Sequence, residues 1–379
     1  MRLVLLHSRY RSGAASGENA VVADEARLLR EAGHRVEVVD PAVEGWTGAL
    51  RAAGGVVWDP GRTSEVRRLV RGLRPDVVHV HNLFPALSPA VIRAAAEEGV
   101  PVVMTLHNFR LLCLPATFLR DGRVCEDCLG RRVPWPGLVH GCYRGSRLAS
   151  APYLASLALH RSTRTFDRIR RFVAVSGFVR AKHAEAGIPV ERIAVKPNFA
   201  WPVRRREGPG TFFLYLGRLS AEKGVDTLLA AWRPESGRLL VAGDGPGAAR
   251  LRARAGAGVE FLGMVPAERA RELVADARAV LIPSRCYEAF PRVVVEAYAA
   301  GVPVVASRIG ALPEVVEDGA TGLLASPDDP ATWTEALERL MDDELSLRLG
   351  EGAYRAWAER YTPQANLRQL EAIYREAAG

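Results

Sequence analysis

The feature that most constrains this chain is a rhythm. Short β-branched apolar runs alternate with helical stretches, the pattern halts at a segment rich in Pro, Gly and Arg, and then it starts again. In the first half RLVLL, RVEVV, DVVHV, VPVVMTL, RFVAV and RIAVKP read as strands. Helices fit between most of them; ENAVVADEARLLREAG, residues 18–33, closes on a Gly stop signal. Strands apolar on both faces and separated by helices predict a parallel sheet covered on both sides. NFAWPVRRREGPG, residues 198–210, reads as a linker. After it TFFLYLG, GRLLVAG, VEFLG, RAVLIP, VPVVAS and TGLLA repeat the pattern. The expected architecture is α/β: two tandem doubly wound parallel-sheet (Rossmann-like) domains facing a cleft lined by the carboxyl ends of the strands. Residues 1–200 form the first domain, with an insertion at 110–147. A linker at 201–210 leads to a second domain at 211–360, and a final helix at 361–379 packs back on the first.

A length of 379 residues suits two cores better than one. Hydrophobic content of 48% and charged content of 25% are those of a soluble globular chain. No run of 18 apolar residues predicts a membrane span, and the opening MRLVLLHSRYRS breaks at His7 and Arg9, so it reads as a strand and not a signal peptide. The net charge of +8 is concentrated. Residues 110–171 hold twelve Arg and Lys against four Asp and Glu, which leaves the remainder neutral. That segment fits an anionic partner, such as a membrane surface, a lipid-linked phosphate or an acidic sugar; the alternative is a solvated Arg-rich surface. Nucleic acid is not expected, because neither aromatic interleaving nor a nucleic-acid motif accompanies the charge.

Chemistry-bearing motifs crowd the second half. YLGRLSAEKG sets Arg218 and Lys223 after a strand and at the start of a helix, where free N–H groups and the helix dipole attract anions. VAGDGPG ends a strand in a turn whose Gly243 and Gly245 would let backbone approach a ligand. RCYEAFPRVVVEAYAAGVPVVAS places Glu288 in a turn, Pro291 at a helix start and Glu296 two turns into an otherwise apolar helix. A carboxylate among Val293, Val294, Val295, Ala297 and Tyr298 needs a polar partner, and the paired hydroxyls of a ribose or pyranose would supply one. Near Leu312 a further short helix begins. In the first half PDVVHVHN puts His79, His81 and Asn82 at one strand end, and TLHNF puts His107 at another.

In order and spacing these pieces resemble the retaining glycosyltransferases of family 4 (glycosyl transferases group 1), of the GT-B fold, over essentially the whole chain. GRLSAEKG, AGDGP, FLGMV and EAFPRVVVEAYAAGVPVVAS, with its glutamate–seven–glutamate signature, carry the likeness. The resemblance implies a nucleoside-diphosphate-sugar donor and a saccharide or lipid-linked acceptor, in cell-envelope or extracellular polysaccharide synthesis. It implies that Arg218 and Lys223 hold the diphosphate, Glu288 the donor sugar, Glu296 the ribose, and backbone at Phe290 and Arg292 the phosphates. SRYRSGAASGENAVV resembles the family's glycine loop, with Gly17 and Glu18 entering a helix. By the same likeness His107 lines the reaction centre. His81 and Asn82, at the end of another strand, are expected to face the same cleft on its acceptor side. Ser176 and Asn198 read as structural. No Asp-x-Asp metal motif is present, so no cofactor is required for catalysis and Arg218 and Lys223 take the place of Mg²⁺. A cytoplasmic location, peripheral at the inner membrane face, follows from the basic segment.

Cys113, Cys125, Cys128 and Cys142 form C-x₁₁-C-x₂-C-x₁₃-C, a count and approximate spacing that suit a structural zinc, as in a four-cysteine subset of the family. Four reduced thiols and a redox switch are the alternatives. Cys286 stands apart, beside the Glu288 turn. Three other readings of the whole chain compete with glycosyl transfer. A nucleotide-sugar epimerase shares the fold, a non-catalytic transferase-like scaffold would have lost the charged set, and a nicotinamide oxidoreductase would need a G-x-G-x-x-G turn that GDGPGAA does not supply in context.

Overall fold

The computed structural model describes residues 1–9, 17–43 and 54–379. It divides into two compact units. The first comprises Met1–Phe118, Glu126–Lys196 and Leu367–Gly379; the second comprises Leu119–Cys125 and Pro197–Asn366.

In chain order the first eight strands are β1 (Arg2–His7), β2 (Arg35–Val39), β3 (Val77–Asn82), β4 (Val102–Leu106), the hairpin β5 (Leu119–Arg120) and β6 (Arg123–Val124), β7 (Ile169–Ala174) and β8 (Ile193–Val195). Six of them build one parallel sheet in the order β2-β1-β3-β4-β7-β8, while the antiparallel β5–β6 hairpin belongs to the second unit. β1, β3 and β4 are buried almost throughout, which is why their sequences read as continuous apolar runs. The helix Gly17–Glu31 packs Val21, Val22, Ala26, Leu28 and Leu29 inward, and Glu25 falls on the same face. The final helix, Pro363–Ala378, sends Leu370, Ile373, Tyr374 and Ala377 into the core formed by Leu3, Leu5, Val77, Val103 and Val173. Ser176 caps the helix Gly177–Glu185 by accepting the Val179 N–H, a structural task.

The second unit holds β9 (Phe213–Leu216), β10 (Leu239–Ala242), β11 (Val259–Gly263), β12 (Ala279–Ile282), β13 (Val304–Ser307) and β14 (Gly322–Ala325). All pair in parallel, in the order β11-β10-β9-β12-β13-β14. Strand order therefore reverses between β9 and β12, the place where ligands of open α/β sheets bind. Its core runs from Phe213 and Leu239 to Trp333 and Leu349. The stretch read as a linker is extended but fastened to this unit. The Ala200 N–H donates to Tyr361 C=O, the Arg206 N–H to Ala300 C=O, and Asn198 Nδ2 to Phe290 C=O. The Arg206 guanidinium also reaches Ser346 and the Arg278 carbonyl. Residues 330–379 are helical apart from short turns.

Candidate functional sites

The second unit gathers its charged groups at the β9/β12 reversal. Lys223 follows β9 in a one-turn 3₁₀ helix, Ala221–Lys223, and Glu288 follows β12. Because those strands are neighbours, two residues far apart in sequence meet: Lys223 Nζ lies 2.6 Å from Glu288 Oε1. The Ser284 hydroxyl donates to the same oxygen. Lys223 keeps 31% of its side chain exposed and Glu288 12%, so the pair is shielded but reachable. Partial burial alone would lower the Lys223 pKa; the Glu288 carboxylate reverses this and holds the ammonium above the ordinary lysine range. Arg218 is exposed, and its side chain makes no ion pair among the described residues; its carbonyl accepts from the Tyr215 hydroxyl at 2.7 Å. A second cation thus follows the same strand, β9, with no ion-pair partner among the described residues.

Backbone closes in around this pair. Gly243 has φ +140°, and a Cβ there would sit 1.8 Å from the Gly217 carbonyl oxygen. A Cβ on Gly245 would lie 2.5 Å from the Leu219 carbonyl oxygen. The turns after β9 and β10 are in fact stitched together, with the Gly217 N–H donating to Ala242 C=O and the Leu219 N–H to Asp244 C=O. On the other side the Ala311 N–H donates to Glu288 C=O, and a Cβ on Gly310 would come within 2.7 Å of the Glu288 nitrogen. The short helix Leu312–Val315 begins there, as its sequence predicts.

Glu296 requires a correction. The helix starts at Arg292, so Glu296 sits about one turn into it and not two. This spacing hands it a partner: Arg292 Nε and Nη2 lie 2.9 and 2.8 Å from Glu296 Oε1. Its side chain is a third exposed, so it escapes the apolar face that its neighbours form. Phe290 is buried edge-on against Tyr361, and Cys286 is buried with its thiol pushed up to about 12 by desolvation and then by Glu288. Ser284 was missed from the sequence although it lies only four residues before Glu288; the approach of Gly310 to Glu288 follows from the adjacency of β12 and β13.

The first unit holds a small pocket open to solvent, lined by His81, Asn82, Phe84, Met104, His107, Asn108 and Arg110 among others. His81 Nδ1 lies 2.9 Å from His107 Nε2, so these two residues do meet. Asn82 is spent on structure: it donates to the Ser8 and Phe84 carbonyls and accepts from the Phe84 N–H. Glu18 accepts from Asn108 Nδ2 at 2.6 Å, which ties the start of its helix to the pocket wall. Gly17 opens that helix with nothing near its α-carbon, and residues 10–16 of the glycine loop lie outside the described residues. Burial drives His81 down to about 3, aided by His79, and holds His107 well below the usual imidazole range, so both rings are neutral near pH 7.

The cysteines are all thiols. Cys113 and Cys128 are buried, Cys125 and Cys142 half-buried. Burial pushes Cys113 up to about 12. Tetrahedral zinc brings thiolate sulfurs to about 3.8 Å of one another, from Zn–S bonds of about 2.3 Å. Among the described residues, the group of three or more His, Cys, Asp or Glu ligand atoms within 4.8 Å is Glu25, His79 and His81; no cysteines are in it.

Taken together, the second unit offers Arg218, Lys223 and Arg292 with Glu288 and Glu296 on the segments that follow β9 and β12, a set matched to phosphate oxygens and vicinal hydroxyls. The first offers neutral imidazoles at the edge of a pocket. Two family models match the chain: Glycosyltransferase Family 4 over residues 15–200 and Glycosyl transferases group 1 over residues 210–343. The chain is 31% identical over 325 residues to a D-inositol 3-phosphate glycosyltransferase of Acidothermus cellulolyticus, spanning 80% of this chain and 67% of that one. It is 29% identical over 362 residues to an alpha-D-kanosaminyltransferase of Streptomyces kanamyceticus, spanning 88% and 85%. Similar solved structures include Anabaena Alr3699/HepE in complex with UDP, at 20% identity and TM-score 0.67 over 98% of this chain and 99% of that one. Sucrose-phosphate synthase from Thermosynechococcus elongatus aligns with TM-score 0.69 at 18% identity over 99% of both chains. At such identities the structural likeness speaks for the fold alone.

Proposed function

The chain belongs to glycosyltransferase family 4 and has the GT-B fold, and from that premise we propose that it moves a sugar from a nucleoside-diphosphate donor to a hydroxyl of a saccharide or lipid-linked acceptor, with retention at the anomeric carbon. The observation that carries the donor assignment is the Lys223–Glu288 pair across the β9/β12 reversal. An incoming diphosphate competes for Lys223 and recruits Arg218, and the Glu288 oxygens are then released to accept from sugar hydroxyls. Glu296, braced by Arg292, faces the ribose, with Phe290, Gly243 and Gly245 setting the backbone around the nucleotide. As the glycosidic bond to phosphate breaks, negative charge grows on the leaving diphosphate. Fixed cations there stabilise the transition state more than the ground state. Same-face attack by the acceptor hydroxyl, its proton passing to the departing phosphate, gives retention.

The test is a transfer assay with UDP-, GDP- and ADP-sugars and a panel of glycoside and lipid-linked acceptors. The expected outcome is one released nucleoside diphosphate per glycoside formed, with the donor's anomeric configuration in the product. A changed free sugar or an epimerised donor without transfer would make the chain an epimerase, and neither donor cleavage nor donor binding would make it a scaffold.

A role in cell-envelope or extracellular polysaccharide synthesis, at the inner face of the cytoplasmic membrane, belongs to the same proposal. Residues 129–166 contain six Arg and no Asp or Glu. Val133, Trp135, Val139 and Leu148 are exposed there, Trp135 at 51% and Leu148 at 88%, with the Arg131 guanidinium 5.2 Å from the Trp135 ring. Apolar side chains rimmed by arginines suit an anionic bilayer surface. No helix among the described residues is long and apolar enough to cross a membrane. The protein is expected to sediment with phosphatidylglycerol vesicles and not with phosphatidylcholine vesicles, and W135S/L148S to weaken that binding by roughly tenfold or more. Equal sedimentation with both vesicles, or with neither, would count against this surface. A structural zinc on Cys113, Cys125, Cys128 and Cys142 is supported by spacing alone; elemental analysis of the reduced protein decides it.

A further inference from the structure

Behind the first unit's pocket lies a buried charged cluster that donor binding does not use. Glu25 is 1% exposed and Lys196 2%, and Lys196 Nζ donates to Glu25 Oε2 at 3.0 Å. Burial would push the Glu25 carboxyl up, but Lys196 and the two histidines outweigh it and keep it ionised. Its other oxygen, Oε1, lies 3.3 Å from both His79 Nδ1 and His81 Nε2. His79 has its own partners: the Tyr374 hydroxyl is 2.7 Å from Nδ1, and the Thr105 hydroxyl is 2.7 Å from Nε2. His81 Nε2 and Glu25 Oε1 are both buried without an aligned hydrogen-bond partner among the described residues, and at 3.3 Å each is the other's nearest complement. Glu25, His79 and His81 have metal-ligand spacing, and the Lys196 ammonium supplies a positive charge at the other Glu25 oxygen.

The Glu25 charge, 3.3 Å from His81 Nε2, favours one order of protons. An ionised carboxylate can only accept, so His81 carries its proton on Nε2 and presents a lone pair at Nδ1. That lone pair is 2.9 Å from His107 Nε2, which must then carry the His107 proton. His107 Nδ1 is left as an acceptor, with no partner among the described residues, on a residue that lines the pocket.

We infer that Glu25, neutralised by Lys196, is a positioning residue: through His81 it locks His107 in the Nε2–H tautomer, so that His107 offers Nδ1 to a hydroxyl of bound substrate. This rests on the proposed function and on the family likeness, which implies that His107 lines the reaction centre.

The single change Glu25→Leu takes a carboxylate from beside a buried ammonium, so the decisive variants remove both charges. Glu25→Gln/Lys196→Met keeps a carbonyl acceptor for His81; Glu25→Leu/Lys196→Met does not. Side-chain ¹⁵N–¹H correlation spectra of labelled protein report the tautomer of each histidine without any substrate. The wild type should show His107 protonated at Nε2. The Leu/Met variant should show a mixture, with kcat down roughly tenfold or more and the donor KM unchanged, while the Gln/Met variant stays within roughly threefold of wild type. His107 protonated at Nδ1 in the wild type overturns the inference, as does an unaltered tautomer in a folded Leu/Met variant. If neither double variant folds, the wild-type spectrum decides alone. A wild type that transfers no sugar would defeat the proposed function and leave the tautomer result standing.

Discussion

Replacing Lys223 with alanine is expected to lower turnover by about two to three orders of magnitude, the ~3–4 kcal/mol typical of removing one preorganised donor from developing negative charge. The loss should appear in binding as well. A nucleoside diphosphate at about a hundred times its Kd stabilises the wild-type fold by about 2.7 kcal/mol. At the same concentration the variant should show a small fraction of that shift. Without ligand the variant should melt close to wild type, because Lys223 is a third exposed and Glu288 keeps the Ser284 hydroxyl. Arginine at this position should not restore activity, since its planar fork cannot reproduce a point charge 2.6 Å from Glu288. Thermal shifts and steady-state rates on the same preparations make the check. Undiminished turnover in Lys223→Ala would remove the diphosphate grip from this residue.

Gly243→Ala should produce the second large effect, this time on the fold of the second unit. At φ +140° an L-residue is strained, and the added methyl would stand 1.8 Å from the Gly217 carbonyl oxygen. Relief requires the turns after β9 and β10 to part. That breaks the hydrogen bonds from the Gly217 N–H to Ala242 and from the Leu219 N–H to Asp244. A cost of roughly 2–4 kcal/mol is expected, which lowers the melting temperature by roughly 5–12 °C for a unit of this size. Because the β9 turn carries Arg218, nucleotide binding should weaken with it. Gly72→Ala is the control: it lies in open space inside the helix Pro60–Leu73, where alanine is the better helix former, and it should leave melting unchanged or slightly raised. Calorimetry that finds both variants equally stable would contradict the packing described here.

The sequence carried what is periodic and local. Strands such as RLVLL and VPVVMTL were legible because they are buried on both faces. The restart after Gly210 was legible because the same alternation returns. The glutamates at 288 and 296 stood out as acids in an apolar run, yet what each touches was not readable. Glu296 finds Arg292 by i, i+4 helical spacing, a pairing that the apolar context drew attention away from. Glu288 finds Lys223 only because β9 and β12 are neighbours, and strand order is a property of the whole sheet. Glu25 left a signal that went unread: it falls on the Val21–Val22–Ala26–Leu29 face, where a charge demands a partner. That partner, Lys196, lies 171 residues away. Asn82 shows the converse. It resembled an acceptor contact at a strand end, and its side chain is used up bracing its own turn. The cysteine spacing fixed which residues to examine but not whether their sulfurs converge.

The central claim is that the second unit grips a diphosphate at its strand-order reversal, and the position of a nucleoside diphosphate soaked into crystals of the protein tests it most directly. The account predicts phosphate oxygens within about 3 Å of Lys223 Nζ, at hydrogen-bond distance, with the Arg218 side chain drawn in and the Lys223–Glu288 contact opened. Nucleotide bound elsewhere, with that contact intact, would contradict it.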